Sequence, residues 1–542
     1  MAIAEAKPCS AVRPASGAQL DRALAVLVFL GSLSYLCFFR RYSSMEPDEG
    51  IVLQGATRVL AGQVPYRDFF SFYTPGSFYL IAGLFRIFGN SFAVARSSLV
   101  VTGALCSTIT YILARRVCSR RISLLAGVLA TIVGTAFRFL VLHNYYSTLF
   151  SCLAVLAAVR FVEERKSSWA FAVSSFTALT FLVEQSKGGC LGLGLLTGIL
   201  LLRKTVRCLP LKAFAAGLVW PFLITFGYFA AHHATWQMVS SWLWPLHHYT
   251  TANHVPYGWQ DWSDEKRAIL FGSGPLVARV VKVIAVSPEF VVPVLPLIAV
   301  ALLFYWIKQL RTNPAVEGES GYYVIMCSAL TGLLLSIVMV RSDILHFLYL
   351  APLWYVVLAW IMGTRGPSRL LLRIRPALIL YVVTAFGVLG FAMLLATTGA
   401  HRRLETRRGI VMTSDSDTVI PYLEAHSKSG DSLLVYPYLP LYNYLSATRS
   451  PAPLDFFQPG MNTSEQAQQI VSALRADKAQ AVLFQPTFAE KIGESWPDTP
   501  VSAVVTDPVG DYIVRNFRMC KVLQSPENWQ FEYMIRKDRE CQ

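Results

Sequence analysis

The acidic cluster Glu46-Pro47-Asp48-Glu49-Gly50 stands just beyond the first long apolar run, residues 24–39. A carboxylate at that depth is costly unless it is paired or used. Within hydrogen-bond reach of a hydroxyl, Asp48 can take its proton as a general base. The local alternative makes Asp48 the N-cap of a following helix, with Glu49 favourable in its first turn. If the reaction expels an anion, cations or a metal must stand beside it. Arg341, His346, Lys187 and His143 are the candidates on the same side. Their plainer readings are snorkelling at a helix end for Arg341, a turn for His143 and an ion pair with Glu184 for Lys187. Asp68 is a further carboxylate in the same loop as Asp48, and Tyr66, His143 and Tyr145 are candidate lining residues.

Membrane helices must position these groups. Of 542 residues, 54% are hydrophobic and only 15% are charged, whereas soluble domains carry about 25% charged residues. The net charge is +15. Its lysines and arginines cluster in short loops between apolar runs, which points to the positive-inside bias and not to nucleic acid. Spans are expected at roughly 22–40, 92–114, 122–142, 145–162, 168–186, 188–203, 210–231, 284–307, 322–340, 345–363 and 376–397, since each needs about 20 apolar residues. The run 168–203 is read as a tight hairpin turning at Glu184-Gln185-Ser186-Lys187-Gly188-Gly189.

Loop charge supports that count. Arg115, Arg116, Arg120 and Arg121, then Arg160, Arg165 and Lys166, then Arg203, Lys204, Arg207 and Lys212 fall on one side, with Lys308, Arg311, Arg365 and Arg369. That side is the cytoplasm. Residues 1–21 are then a cytoplasmic tail, and 22–397 form the membrane domain. Its outer loops are 41–91 and 232–283, and 398–542 form an outer domain. In the first outer loop, 50–61 reads as a short helix and 77–88 as an interfacial one. The second carries Trp236, Trp242, Trp244, Trp259 and Trp262 with His247, His248 and His254, an aromatic belt or a stacking surface. In the tail, 432–436, 481–484 and 512–517 read as strands, and 418–425 and 465–476 as helices.

The ten cysteines form no CxxC pair, so a zinc-finger type of site is not expected. Cys520 and Cys541 can pair if the tail lies outside the cytoplasm. Phosphate-binding glycine loops and HExxH are absent. The glycines of 188–194 lie in a membrane helix, where small residues permit close packing.

Several of these elements occur in an order that resembles the GT-C superfamily of membrane glycosyltransferases. The resemblance is to the bacterial branch that includes protein O-mannosyltransferases and the aminoarabinose transferase acting on lipid A. It is carried by Glu46-Pro47-Asp48-Glu49, by Val64-Pro65-Tyr66-Arg67-Asp68 with Pro75, and by Phe88-Gly89-Asn90-Ser91 with Arg96. Arg341-Ser342-Asp343 with His346, and Val435-Tyr436-Pro437 with Leu441-Tyr442, continue it. The resemblance implies a polyprenyl-phosphate sugar donor, reaction on the outer face and Asp48 as the base. The expectation is a polytopic α-helical membrane protein of about eleven spans with a small extracytoplasmic α/β domain. It would sit in the inner (plasma) membrane and transfer a sugar to a glycan, lipid or protein acceptor. Asp48, Glu49 and Asp68 would be catalytic, and Arg341, Lys187 and His346 would bind the donor phosphate. No cofactor is assigned, and a divalent metal is left open. The alternative from another class is a transporter or flippase of lipid-linked sugars, which would favour internal repeats and a mid-membrane site. A scaffold reading leaves the acidic loop unexplained.

Overall fold

In a computed structural model the chain is described over residues 15–203, 209–249, 253–260, 268, 272–312, 317–363, 369–399, 402–476 and 479–541. Lys204, Arg207, Trp262 and Arg365 lie outside these residues. Among the described residues, seven helical segments are long and apolar enough to cross a bilayer: Gly17–Cys37, Phe92–Val117, His143–Glu164, Leu211–Ala231, Leu276–Thr312, Gly321–Val340 and Arg373–Thr398. Ser167–Val183 and Ala351–Gly363 are shorter apolar helices beside them. Leu27, Leu30, Leu223, Ile224, Leu380 and Phe391 are exposed, an arrangement that suits lipid and not water. The chain is a multi-pass membrane protein.

Five expected spans differ in their details. The run 122–142 is α-helical only over Arg120–Leu129, continues as a π-helix over Ala130–Thr135, and then opens. Such π turns interrupt the regular hydrogen bonding and are frequent at functional sites. The break in 168–203 is the single extended residue Glu184, and helix resumes at Gln185. The two helices then return side by side. A Cβ at Gly188 would lie 2.2 Å from the Phe181 Cα, and one at Gly192 would lie 3.3 Å from Thr177. The expected 284–307 is split into Leu276–Val291 and Val294–Thr312. The expected 345–363 is split into Ile344–Tyr349 and Ala351–Gly363, where Pro352 has no N–H to continue the ladder.

The bundle has two chemically different ends. At one, Asp21 pairs with Arg115 (3.2 Å) and Arg120 (2.7 Å), and Arg116 pairs with Glu163 (3.1 Å). At the other, the first outer loop, the Glu184 break and the segment 341–346 surround one cavity. The helices Pro47–Leu60 and Gly76–Phe88 lie at this second end.

The tail forms a β-hairpin, β1 (Arg402–Thr406) with β2 (Gly409–Thr413), and a four-stranded sheet. The sheet order is β3 (Leu433–Tyr436), β4 (Ala481–Phe484), β6 (Gln530–Arg536), β5 (Phe517–Gln524). Only β3 and β4 run parallel, joined through the helix Ser464–Ala476, the kind of crossover parallel strands require. The expected strand 512–517 is a correction. Asp507 accepts from Val509 and Gly510 N–H and Pro508 takes the first helical position, so Pro508–Asn516 is a helix. Cys520 and Cys541 form a disulfide with Cα atoms 5.6 Å apart.

This tail is docked on the first outer loop. A Cβ at Gly50 would lie 2.2 Å from the Leu441 amide nitrogen, so only glycine fits the contact. Arg58 pairs with Asp455 at 2.8 Å, both largely buried. Phe70 N–H donates to the Pro453 carbonyl (2.8 Å), and Ser43 N–H to that of Met412 (2.9 Å).

Asp417 in the tail gives a pH prediction. Burial pushes its carboxyl up to about 6, against the hydrogen bonds it accepts from Ile420 N–H (2.7 Å) and the Tyr442 hydroxyl (2.8 Å). The folded state therefore holds this proton more tightly than the unfolded chain. Its contribution is full below pH 3.8 and is lost as pH rises through about 6. The loss amounts to about 3 kcal/mol. Asp417→Asn cannot titrate, so relative to wild type it should gain stability by that order between pH 4 and pH 7.5. Melting curves of both proteins in detergent check this, and a pH-independent difference would refute it.

Candidate active site

The helix Pro47–Leu60 places the acidic cluster. Glu46 is the extended residue before it and Pro47 opens it, so Asp48 lies in the first turn and is not the N-cap. The Asp48 carboxylate is 32% exposed and lines a cavity of about 760 Å³. Its Oδ2 accepts from Arg138 Nη2 at 3.1 Å, and its Oδ1 from the Tyr438 hydroxyl at 3.4 Å. Burial, and then Asp48 itself, push the Tyr438 phenol well up, so it faces the carboxylate as a neutral donor.

Arg138 comes from the opened segment after the π-helix. It also pairs with Glu46 and donates to the Tyr349 hydroxyl at 2.5 Å. Glu49 holds this segment in place. It is fully buried, pairs with Arg96 at 2.6 Å, and accepts from Val141 N–H at 2.9 Å. Arg96 in turn donates to the Phe139 carbonyl.

Across the cavity, Arg341 lies in the extended break after the helix that ends at Val340, not at a helix start. Its Nε donates to Asp343 Oδ2 at 2.5 Å, and His346 Nδ1 contacts Asp343 Oδ1 at 2.6 Å. Burial opposes the charge on Asp343, but His346 and Arg341 hold its carboxyl below the usual range. The second outer loop pins this segment, since Gly258 N–H donates to Ser342 (2.7 Å) and Ile344 N–H to Trp259 (3.0 Å). The His346 and Tyr349 rings lie 5.7 Å apart. A chain of contacts therefore runs Arg341–Asp343–His346–Tyr349–Arg138–Asp48.

Of the residues singled out from sequence, Asp48, His143, Arg341 and His346 line the cavity. The others do not, and each has a physical reason. Glu49 is consumed by Arg96. Asp68 is held by Arg67 (2.8 Å) and Val64 N–H (2.7 Å). Lys187 is buried against Glu184 (2.7 Å) and Ser147 (2.8 Å). The Tyr66 hydroxyl donates to the Tyr73 carbonyl (2.8 Å), and that of Tyr145 to the Arg138 carbonyl (2.6 Å). Lys187, Tyr66 and Tyr145 thereby hold Glu184, Tyr73 and Arg138, which line the cavity. His143 packs its ring on Tyr73, with centroids 4.2 Å apart. Arg138, Tyr349 and Tyr438 were missed. An arginine inside an apolar run was the one available signal. Among the described residues no group of three or more His, Cys, Asp or Glu side chains is placed to hold a metal ion. Glu46 and Asp48 share an arginine instead.

The profile of the dolichyl-phosphate-mannose-protein mannosyltransferase family matches residues 73–250. No curated protein matches by sequence. Solved structures match over nearly the whole chain. The oligosaccharyltransferase of Archaeoglobus fulgidus tethered with an acceptor peptide is 10% identical, with TM-score 0.52 over 95% of this chain and 74% of that one. ArnT from Cupriavidus metallidurans bound to undecaprenyl phosphate is 12% identical, with TM-score 0.50 over 96% and 98%. AglB from Archaeoglobus fulgidus, in complex with an inhibitory peptide and a dolichol-phosphate, is 9% identical, with TM-score 0.50 over 97% and 75%. At these identities the likeness is one of fold. The chain has the fold of these solved structures.

Proposed function

We propose that the chain is a membrane glycosyltransferase that moves a sugar from a polyprenyl phosphate to an acceptor hydroxyl outside the cytoplasm. The observation that carries this reading is the single cavity shared by Asp48 and Arg341, placed at one end of the bundle and covered by the tail. Asp48 takes the proton of the acceptor hydroxyl. The acceptor oxygen forms a bond to the sugar's anomeric carbon as the bond from that carbon to the phosphate oxygen breaks. The electron pair leaves on the phosphate, whose charge falls to Arg341 and His346. Trp259 Nε1–H lines the same side, buried and without a partner among the described residues, and is a donor only. Arg138 orients Asp48 by its 3.1 Å contact. The family match over 73–250 and ArnT's undecaprenyl phosphate support a lipid-linked donor. An interfacial site, not one at mid-membrane, favours transfer over transport.

Incubating the purified protein with short-chain polyprenyl-phosphate hexoses should release free polyprenyl phosphate and a transferred sugar. Lipid movement across vesicles without bond cleavage would overturn the reading. The arginine-rich end containing Arg115, Arg116 and Arg120 is assigned to the cytoplasm by the positive-inside bias. The cavity and the tail domain then lie outside an inner membrane. Reporter fusions at Gln542 that act only in the cytoplasm should stay silent, and a signal would reverse this orientation.

A further inference from the structure

Two glutamines of the tail line the cavity with bonding capacity to spare. Gln485 is 2% exposed, and neither its amide nitrogen nor its carbonyl oxygen has a partner among the described residues. Gln458 is also 2% exposed, and its amide nitrogen is likewise unpaired. Buried amides left unpaired weaken a fold, and most buried polar groups are satisfied. Two of them on one cavity wall point to a ligand that completes them.

Their surroundings narrow the chemistry. Gln485 follows β4, and its N–H donates to the Tyr436 carbonyl at 3.0 Å. Phe457 N–H donates to the Pro437 carbonyl at 2.7 Å. The ends of β3 and β4 and the loop at 456–458 therefore converge on Tyr438, the residue whose hydroxyl meets Asp48. The Tyr438 ring lies 5.6 Å from Phe488 and 5.4 Å from Trp496, and all three line the cavity.

We propose that this corner binds a neutral carbohydrate, so that the acceptor hydroxyl belongs to a glycan. This rests on the transfer reading above and names the acceptor class for the same site. A primary amide both donates and accepts, as a sugar hydroxyl does. The flat rings of Tyr438, Phe488 and Trp496 offer apolar faces to the C–H face of a sugar ring. None of these five side chains supplies a cation, so an anionic lipid head is poorly served here. The corner belongs to the acceptor because it adjoins the oxygen of Asp48 that faces Tyr438. The donor phosphate is assigned to the opposite wall, where Arg341 supplies charge and Trp259 only donates.

The test uses the full-length protein, a radiolabelled short-chain polyprenyl-phosphate hexose, and three fractions from a strain lacking the gene: neutral envelope glycans, peptides and lipids. Label should enter the neutral glycans. Gln485→Leu and Gln458→Leu should raise the KM for that fraction at least about tenfold, since each leaves a sugar hydroxyl unpaired. The KM for the donor should move much less. Both variants should melt no lower than wild type, because both amide atoms of Gln485 and the amide nitrogen of Gln458 lack a partner among the described residues. Label entering peptides or lipids, or a shift in donor KM alone, would overturn the glycan assignment while leaving transfer intact. A lower melting temperature with unchanged acceptor KM would make the glutamines structural and overturn it too. No cleavage of the donor in any fraction would instead bring down the transfer reading itself.

Discussion

Asp48→Asn is expected to lower sugar transfer about a thousandfold with the protein folded and inserted, within the range of a lost general base. The asparagine keeps the size of the side chain and an oxygen for Arg138, while its NH2 can donate to the Tyr438 hydroxyl oxygen. It cannot accept the acceptor's proton. Folding should survive because Asp48 is 32% exposed and Arg138 keeps Glu46 as a partner. The measurement is single-turnover transfer from a polyprenyl-phosphate hexose, with donor binding determined separately by titration. Donor affinity should change little, since the phosphate is held across the cavity. Transfer close to the wild-type rate would reduce Asp48 to a partner of Arg138. Glu46→Gln is the control. Glu46 shares the same arginine, so its loss should cost less than that of Asp48.

The sequence made some of this arrangement readable, and the physical reasons differ by residue. Asp48 and Arg341 were legible because each follows the end of an apolar run, where a charge needs a purpose. Lys187 was legible as the partner of Glu184 because three residues separate them on the chain. Arg138 was hidden. Its run of apolar neighbours reads as a continuous span, and nothing in local periodicity announces that the α-helix passes into a π-helix at Ala130. Once the helix opens, the buried Glu49–Arg96 pair clamps the segment and turns the arginine toward Asp48. Glu49 was singled out for chemistry from its place beside Asp48. Helical geometry sends adjacent residues in different directions, so one carboxylate reaches the cavity and the other is buried.

The apolar blocks of β3 and β4 are short and bounded by turn residues, and they fold as expected. The segment 512–517 has an equally strand-like pattern, but Asp507 and Pro508 supply a helix start, and that local chemistry wins. What no local reading supplies is the docking of the tail. Tyr438 lies 390 residues from Asp48 in sequence, and Gly50 meets Leu441 across a similar separation. These are tertiary contacts, and they decide that the tail is a wall of the site and not a separate appendage.

Arg341→Ala is expected to weaken binding of a polyprenyl phosphate about a hundredfold, the size of a lost charge-assisted hydrogen bond of about 3 kcal/mol. Arg341→Lys should recover only part of this, because a guanidinium offers two parallel donors to phosphate oxygens and an ammonium offers a point charge. The loss should appear in turnover as well as in affinity, since negative charge on the phosphate grows as the sugar leaves. A merely structural arginine makes a different prediction. Asp343 would lose its 2.5 Å partner, yet it stays anchored by His346 Nδ1 (2.6 Å) and by His346 N–H (3.0 Å), so the segment should keep its shape. The deciding measurement is titration of the purified variants with a short-chain polyprenyl phosphate, alongside their melting temperatures. Equal affinity for wild type and Arg341→Ala would exclude Arg341 from the phosphate site. Lys187 is buried against Glu184 and lies off the cavity wall. The phosphate site would then be sought at Arg138 and His346, which border the path from Asp343 to Asp48.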